Sequence, residues 1–170
     1  MNLILWRHAT AEEVPADAVA GDAARALTRH GRWQARVMAQ WLNTRLPADC
    51  DIIVSPAVRT RQTADALCRP YRVSAALAPG ASTHALLRAV GWPDHPHTAL
   101  VVGHQPTLGR VAATVLAGVD AAWPIRRAAA WWLVARDEEE GSRVALRAVM
   151  SADMAVVDGG AEPDGLSGPR

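Results

Sequence analysis

Two of the six histidines in this chain directly follow short apolar runs, and each is bracketed by residues that could handle an oxyanion. His8 ends Leu3-Ile4-Leu5-Trp6-Arg7-His8, and His104 ends Ala99-Leu100-Val101-Val102-Gly103-His104. A third run, Asp51-Ile52-Ile53-Val54-Ser55, stops at Pro56, with Arg59 and Arg61 just beyond. A neutral imidazole can attack phosphorus and divide one difficult displacement into two easier ones. The group in flight carries spread negative charge, which guanidinium forks and a histidine N–H can stabilise without a metal. Two histidines and two or more arginines at one place would form a cationic cup for a phosphoryl group.

The three clusters meet only if the elements before them are strands of one sheet. Runs this short, apolar and uninterrupted read as buried strands, at 3–6, 51–55 and 99–103. Between them the spacing turns helical. Thr28 caps a run through Trp33, Val37, Met38, Trp41 and Leu42 that Pro47 ends. A second helix is expected over 58–67, with Ala64, Leu67 and Cys68 on its inner face. Ser82 caps a short helix through Leu86, Leu87 and Val90, and Pro106 opens one through Leu108, Val111, Val115 and Leu116. Further strands are expected at 73–77, 130–135 and 144–150, with a charged turn over 136–142 between the last two. Residues 11–24 read as a loop. The predicted fold is α/β, a three-layer sandwich with a mainly parallel central sheet between helices. In such a sheet ligands bind beyond the carboxyl ends of the strands, where all three clusters would lie.

With these pieces in order, the chain resembles the histidine phosphatase superfamily, which includes phosphoglycerate mutase, and within it the short SixA-type phosphohistidine phosphatases. The resemblance rests on Arg7-His8-Ala9, on Arg25-Ala26-Leu27-Thr28-Arg29-His30-Gly31, on Ser55-Pro56-Ala57-Val58-Arg59-Thr60-Arg61-Gln62-Thr63-Ala64, and on Val101-Val102-Gly103-His104-Gln105-Pro106. It spans roughly residues 2 to 150. It implies a phosphoglycerate mutase-like fold without a cap domain, and a metal-independent phosphatase with a covalent phosphohistidine intermediate and no cofactor. It makes His8 the nucleophile, Arg7 and Arg59 the phosphate clamp, His104 the second histidine on the phosphoryl group, and Arg25 a substrate-binding residue. Arg61 falls at a variable place of the motif.

Two departures refine the expectation. The superfamily's usual Arg-His-Gly is here Arg7-His8-Ala9, and a methyl replaces the freedom of glycine. Mutase-like and sugar-phosphatase members protonate the leaving alkoxide with an acid, commonly Glu, from a mid-chain insertion. Here no Glu stands between Glu13 and Glu138, and the mid-chain segment is short. A positioned acid contributes about 10²–10⁴-fold for an alcohol leaving group. A phosphoramidate, which leaves as imidazole, needs less. The resemblance therefore favours a phosphorylated protein bearing phosphohistidine as partner. A small phosphorylated molecule is the alternative, with Asp94, His84 or His95 as acid, and a non-catalytic phosphate-binding protein is a third reading.

Composition narrows the rest. The net charge is +1, giving no reason to expect nucleic-acid or membrane binding. All 18 basic side chains are Arg, a bias that codon usage explains, so single arginines matter by position. Cys50 and Cys68 show no metal-ligand spacing. No signal or membrane-span pattern is visible, so a soluble cytoplasmic protein is expected. One domain is expected over 1–157 and a flexible tail over 158–170. His30, His84, His95 and His97 read as surface or loop residues, Trp33 and Trp41 as core, Trp6 as packing beneath the Arg7-His8 pair, and Trp131-Trp132 as lying across a covered sheet.

Overall fold

The computed structural model describes residues 1–13, 21–138 and 141–156. The expected tail, residues 14–20 of the expected loop, and positions 139 and 140 of the acidic turn lie outside those residues.

Ten elements follow in chain order: β1 (Asn2–Arg7), α1 (Arg29–Asn43), β2 (Asp51–Val54), α2 (Val58–Asp65), β3 (Arg72–Val73), α3 (Thr83–Ala89), β4 (Ala99–Gly103), α4 (Thr107–Ala117), β5 (Ala130–Glu138) and β6 (Gly141–Met150). The strands form one sheet in the order β3-β2-β4-β1-β5-β6. The pairs β3–β2, β2–β4 and β4–β1 are parallel, while β5 runs antiparallel to β1 and to β6. The sheet is mainly parallel, as expected.

Alternation along the central strands divides their side chains between two cores. Ile4 and Trp6 of β1, Ile52 and Val54 of β2, and Leu100 and Val102 of β4 pack with Met38 and Leu42 of α1 and Ala64 of α2. Their neighbours Leu3, Leu5, Ile53, Ala99 and Val101 pack with Leu86 of α3 and Leu108 and Val111 of α4. This is the period-two geometry of a strand buried on both faces, and it explains why residues 3–6, 52–54 and 99–102 are all apolar. The result is a three-layer α/β sandwich.

The helix caps are those the sequence indicates. Thr28 Oγ1 accepts from the Gly31 N–H at 2.8 Å, and Ser82 Oγ accepts from the Ala85 N–H at 3.1 Å. Gly118 closes α4 at φ +69°, the left-handed conformation a terminal glycine reaches without a Cβ penalty. Trp132 is buried against α1, while Trp131 lies half-buried on the other face beside Trp123, their rings 6.3 Å apart. At the Trp131-Trp132 pair both faces of β5 are covered, as expected.

Three expectations fail. The charged turn expected over 136–142 is mostly strand, because β5 runs to Glu138 and pairs with β6 from Gly141 onward. The strand expected at 73–77 is only Arg72–Val73, followed by a 3-10 turn at Ala75–Leu77, because this sheet edge pairs with β2 through just two residues. Cys68 is not on the inner face of a helix. α2 ends at Asp65, and Cys68 is exposed at φ +52°, past the point where helical periodicity applies.

Candidate active site

β1, β2 and β4 all end at the same edge of the sheet. Arg7 pairs with Gly103 in the β1–β4 register, and Val54 with Val102 in β2–β4. His8 and His104 therefore emerge side by side, with ring centroids 5.2 Å apart. The His8 N–H donates to Gly103 O at 3.1 Å, which carries the pairing one step past the strand end. Arg59, in the first turn of α2, reaches the same place. Arg7, His8, Arg59 and His104 line one cavity of about 280 Å³ with Asp22, Arg25, Pro79, Gln105 and Arg127.

His8 is held in one tautomer. Its Nδ1 lies 2.8 Å from Ala9 O, and a carbonyl oxygen only accepts, so Nδ1 carries the hydrogen and Nε2 keeps its lone pair. Burial, above all, holds the imidazole neutral with a pKa lowered to about 3; the Ala9 bond opposes this, while His104, Arg59 and Arg7 add to it. An imidazole in that state can act as a nucleophile at neutral pH.

His104 is equally constrained. A guanidinium has no acceptor, so Arg59 donates to His104 Nδ1, at 3.4 Å. His104 Nε2 then carries the hydrogen and donates to Ser55 Oγ at 2.7 Å. Burial, followed by the charge of Arg59, lowers its pKa to about 4, with Asp22 pulling the other way.

The arginines keep donors in reserve. Arg7 gives one amino group to Ile125 O at 2.7 Å, and its Nε has no partner. Arg59, only 4% exposed, donates to the Asp22 backbone oxygen at 2.6 Å and to its carboxylate at 2.7 Å; its Nε is also unpartnered. Buried guanidinium donors without acceptors are costly unless an anion satisfies them. Arg25 lines the cavity, but its Nε donates to Glu12 O at 2.7 Å and its amino group to Asp22 at 3.0 Å. Arg61 is exposed and outside the cavity.

The motif residues without charge hold the backbone around His8. Thr63 Oγ1 accepts from the Ala9 N–H at 3.1 Å, and Gln62 Oε1 accepts from the Leu27 N–H at 2.7 Å. The Thr28 N–H donates to Thr10 O at 3.1 Å and the Glu12 N–H to Ala26 O at 2.8 Å on either side of the antiparallel bridge between Ala11 and Leu27, so the segment around Leu27 lies along the chain leaving His8. Ala9 is not among the residues with positive φ, which outside glycine are Cys68 and Ala128 among the described residues. Alanine fits there without strain.

Sequence reasoning missed three participants. Ser55 stood in a motif without a role and is the hydrogen-bond partner of His104. Asp22 is the only carboxylate lining the cavity among the described residues; its i, i+3 spacing from Arg25 was the available signal. Its hydrogen bonds from Arg25, then Arg59, hold its pKa below the usual carboxylate range. Arg127 enters from a turn before β5 that no local pattern marks. The acids considered earlier are elsewhere. Asp94 and His95 line a cavity with Met1 and Ala135, at the opposite end of β1, and His84 lines another beside Arg110. Among the described residues no group of three or more His, Cys, Asp or Glu is placed to hold a metal ion.

Comparison with known proteins now bears on this geometry. A family model described as histidine phosphatase superfamily (branch 1) matches residues 3–80, which hold Arg7, His8 and Arg59. An uncharacterized protein of Picosynechococcus sp. is 36% identical over 125 residues, covering 69% of this chain and 74% of that one. The chain belongs to the histidine phosphatase superfamily. A SixA-designated structure from Nakamurella multipartitia is 28% identical with TM-score 0.69, over 88% of this chain and 94% of that chain. A protein histidine phosphatase SixA complexed with tungstate matches with TM-score 0.70 at 24% identity, over 90% and 98%, which bears on the fold. This superfamily member is of the SixA type, a phosphatase with no cap domain among the described residues. No helix among the described residues is long and apolar enough to cross a membrane.

Proposed function

We propose that the protein is a metal-independent phosphatase that hydrolyses protein phosphohistidine through a covalent intermediate on His8. The observation that carries the reading is the state of His8: neutral, with Nδ1 tied to Ala9 O and Nε2 free beside Arg7, Arg59 and His104. The Nε2 lone pair attacks phosphorus. The substrate's ring is protonated on its other nitrogen, so the P–N bond breaks with its electron pair going to that ring, which departs as neutral imidazole. Arg7 and Arg59 take the phosphoryl oxygens with their remaining donors. The phosphoryl dianion favours a proton on His104 Nδ1, which then also donates to it. Water next attacks phospho-His8. The bond to Nε2 breaks with its electron pair returning to the ring, dihydrogen phosphate leaves with both hydrogens of the water, and His8 returns to its neutral form.

The choice of phosphohistidine rests on the leaving group. Among the described residues Asp22 is the only carboxylate lining the cavity, and Arg25 and Arg59 hold it ionised, so those residues offer no carboxylic acid to an alkoxide. A phosphoimidazole already protonated on its other ring nitrogen leaves as the neutral ring without that help. The SixA likeness of the fold agrees, as does complex formation between one such protein and tungstate, a tetrahedral oxyanion. The test is a panel of phosphohistidine proteins and common phosphomonoesters in EDTA. The expected result is fast turnover of phosphohistidine and slow turnover of alkyl phosphates. The reverse order would make the protein a small-molecule phosphomonoesterase.

A further inference from the structure

A second cavity, of about 480 Å³, shares Arg127 as a wall with the cavity around His8. Its other walls include Thr10, Gln34, Arg126, Ser151 and Asp153, and it begins two residues past His8. Most of this polar lining is already engaged. Gln34 Oε1 accepts from the Thr10 N–H and hydroxyl at 3.0 and 2.9 Å, and Arg126 lies 3.6 Å from the Asp153 carboxylate. Arg127 is different. It is exposed and has no hydrogen-bond or ion-pair partner among the described residues. Its charge acts on Arg7, adding to burial in lowering the pKa of that guanidinium.

The turn that presents Arg127 is fixed to the catalytic strand. Arg7 donates to Ile125 O at 2.7 Å and Trp6 Nε1 to Ala128 O at 2.8 Å. The Ala128 N–H donates to His8 O at 3.1 Å, and the Arg7 N–H to Ala129 O at 3.0 Å. Ala128 adopts φ +60° although it has a Cβ. A non-glycine residue persists in that conformation only where its surroundings dictate it, and such positions cluster at ligand sites. The fold thus holds at the junction of the two cavities a cation that no described residue neutralises.

We propose that the second cavity receives the polypeptide flanking the phosphorylated side chain, and that Arg127 reads an acidic residue in it. This rests on the reading of the protein as a protein phosphatase. The phosphoryl group occupies Arg7 and Arg59, so a carboxylate on the departing side is the anion left for Arg127. A planar guanidinium suits a carboxylate through paired N–H bonds. Relieving the repulsion between Arg127 and Arg7 adds to the preference.

The experiment compares kcat/KM for paired phosphohistidine peptides that differ only in carrying Glu or Ala beside the phosphorylated residue. The same pairs carrying phosphotyrosine are run in parallel. The native protein should favour the acidic peptide by about fivefold, the size of a partly exposed ion pair. Arg127→Gln should bring the ratio near one, and Arg127→Lys should retain part of it. Equal rates on both peptides by the native protein overturn the proposal. So does an unchanged ratio in Arg127→Gln, or an equal loss on both peptides, which would make Arg127 a ligand of the phosphoryl group alone. Turnover confined to phosphotyrosine would refute the phosphohistidine reading, yet the acidic-to-neutral ratio would still decide the role of Arg127.

Discussion

His8 and His104 are both buried neutral imidazoles, with pKa values lowered to about 3 and about 4 from 6.5. The unfolded chain takes up protons on them near pH 6.5, and the folded chain does not until the pH reaches the lower values. Stability contributed by the pair is therefore present above pH 6.5 and is lost as the pH falls from there toward 4. Thermal melts across that range should show falling Tm, and His104→Gln should flatten the slope. Asp22 supports a second prediction. Its carboxylate holds Arg59 and Arg25 and meets any incoming oxyanion with like charge. Asp22→Asn should tighten inhibition by tungstate or phosphate by roughly fivefold, about 1 kcal/mol for a pair this exposed. At this scale the sequence was legible where chemistry is local. Arg7 adjoins His8, and Arg59 stands four residues beyond Ser55 on a helix start. Asp22 and Arg127 were hidden because tertiary contacts alone bring them to His8.

The elements matter by holding backbone rather than by lining the site. Gly31 in the first turn of α1 packs against the Thr10 backbone so closely that a Cβ would overlap Thr10 O and crowd Thr10 C and N. Thr10 is two residues past His8, and Gln34 of the same helix binds its N–H. Gly31→Ala must push α1 away from this strand exit, so the variant should lose stability by about 1–3 kcal/mol. Its kcat/KM should also fall, while Arg29→Ala, on the same turn, should change neither greatly. Denaturant titration and steady-state kinetics on the two variants check this. The alternation of β1, β2 and β4 between two cores made these strands readable from apolar runs. β3 was not readable to its true length, since two residues at an edge carry no periodicity. Nor was the exposed Cys68, because an apolar pattern continues for a few residues after the helical hydrogen bonds stop.

Across the whole molecule, one sheet edge gathers residues from positions as far apart as Arg7 and Arg127. The family model covers residues 3–80 and so includes Arg7, His8, Arg25 and Arg59 but not His104. The parallel register of β1 with β4 completes the set by placing His104 beside His8. The proposed mechanism assigns charge neutralisation to arginine, so turnover should be unaffected by EDTA in a direct assay. The central claim is that His8 itself carries the phosphoryl group. Rapid quench of the native protein with a labelled phosphohistidine substrate should trap an acid-labile, base-stable phosphoenzyme on the peptide that contains His8. His8→Ala should form none and turn nothing over. Label on another residue, or turnover that persists in His8→Ala, would contradict the account.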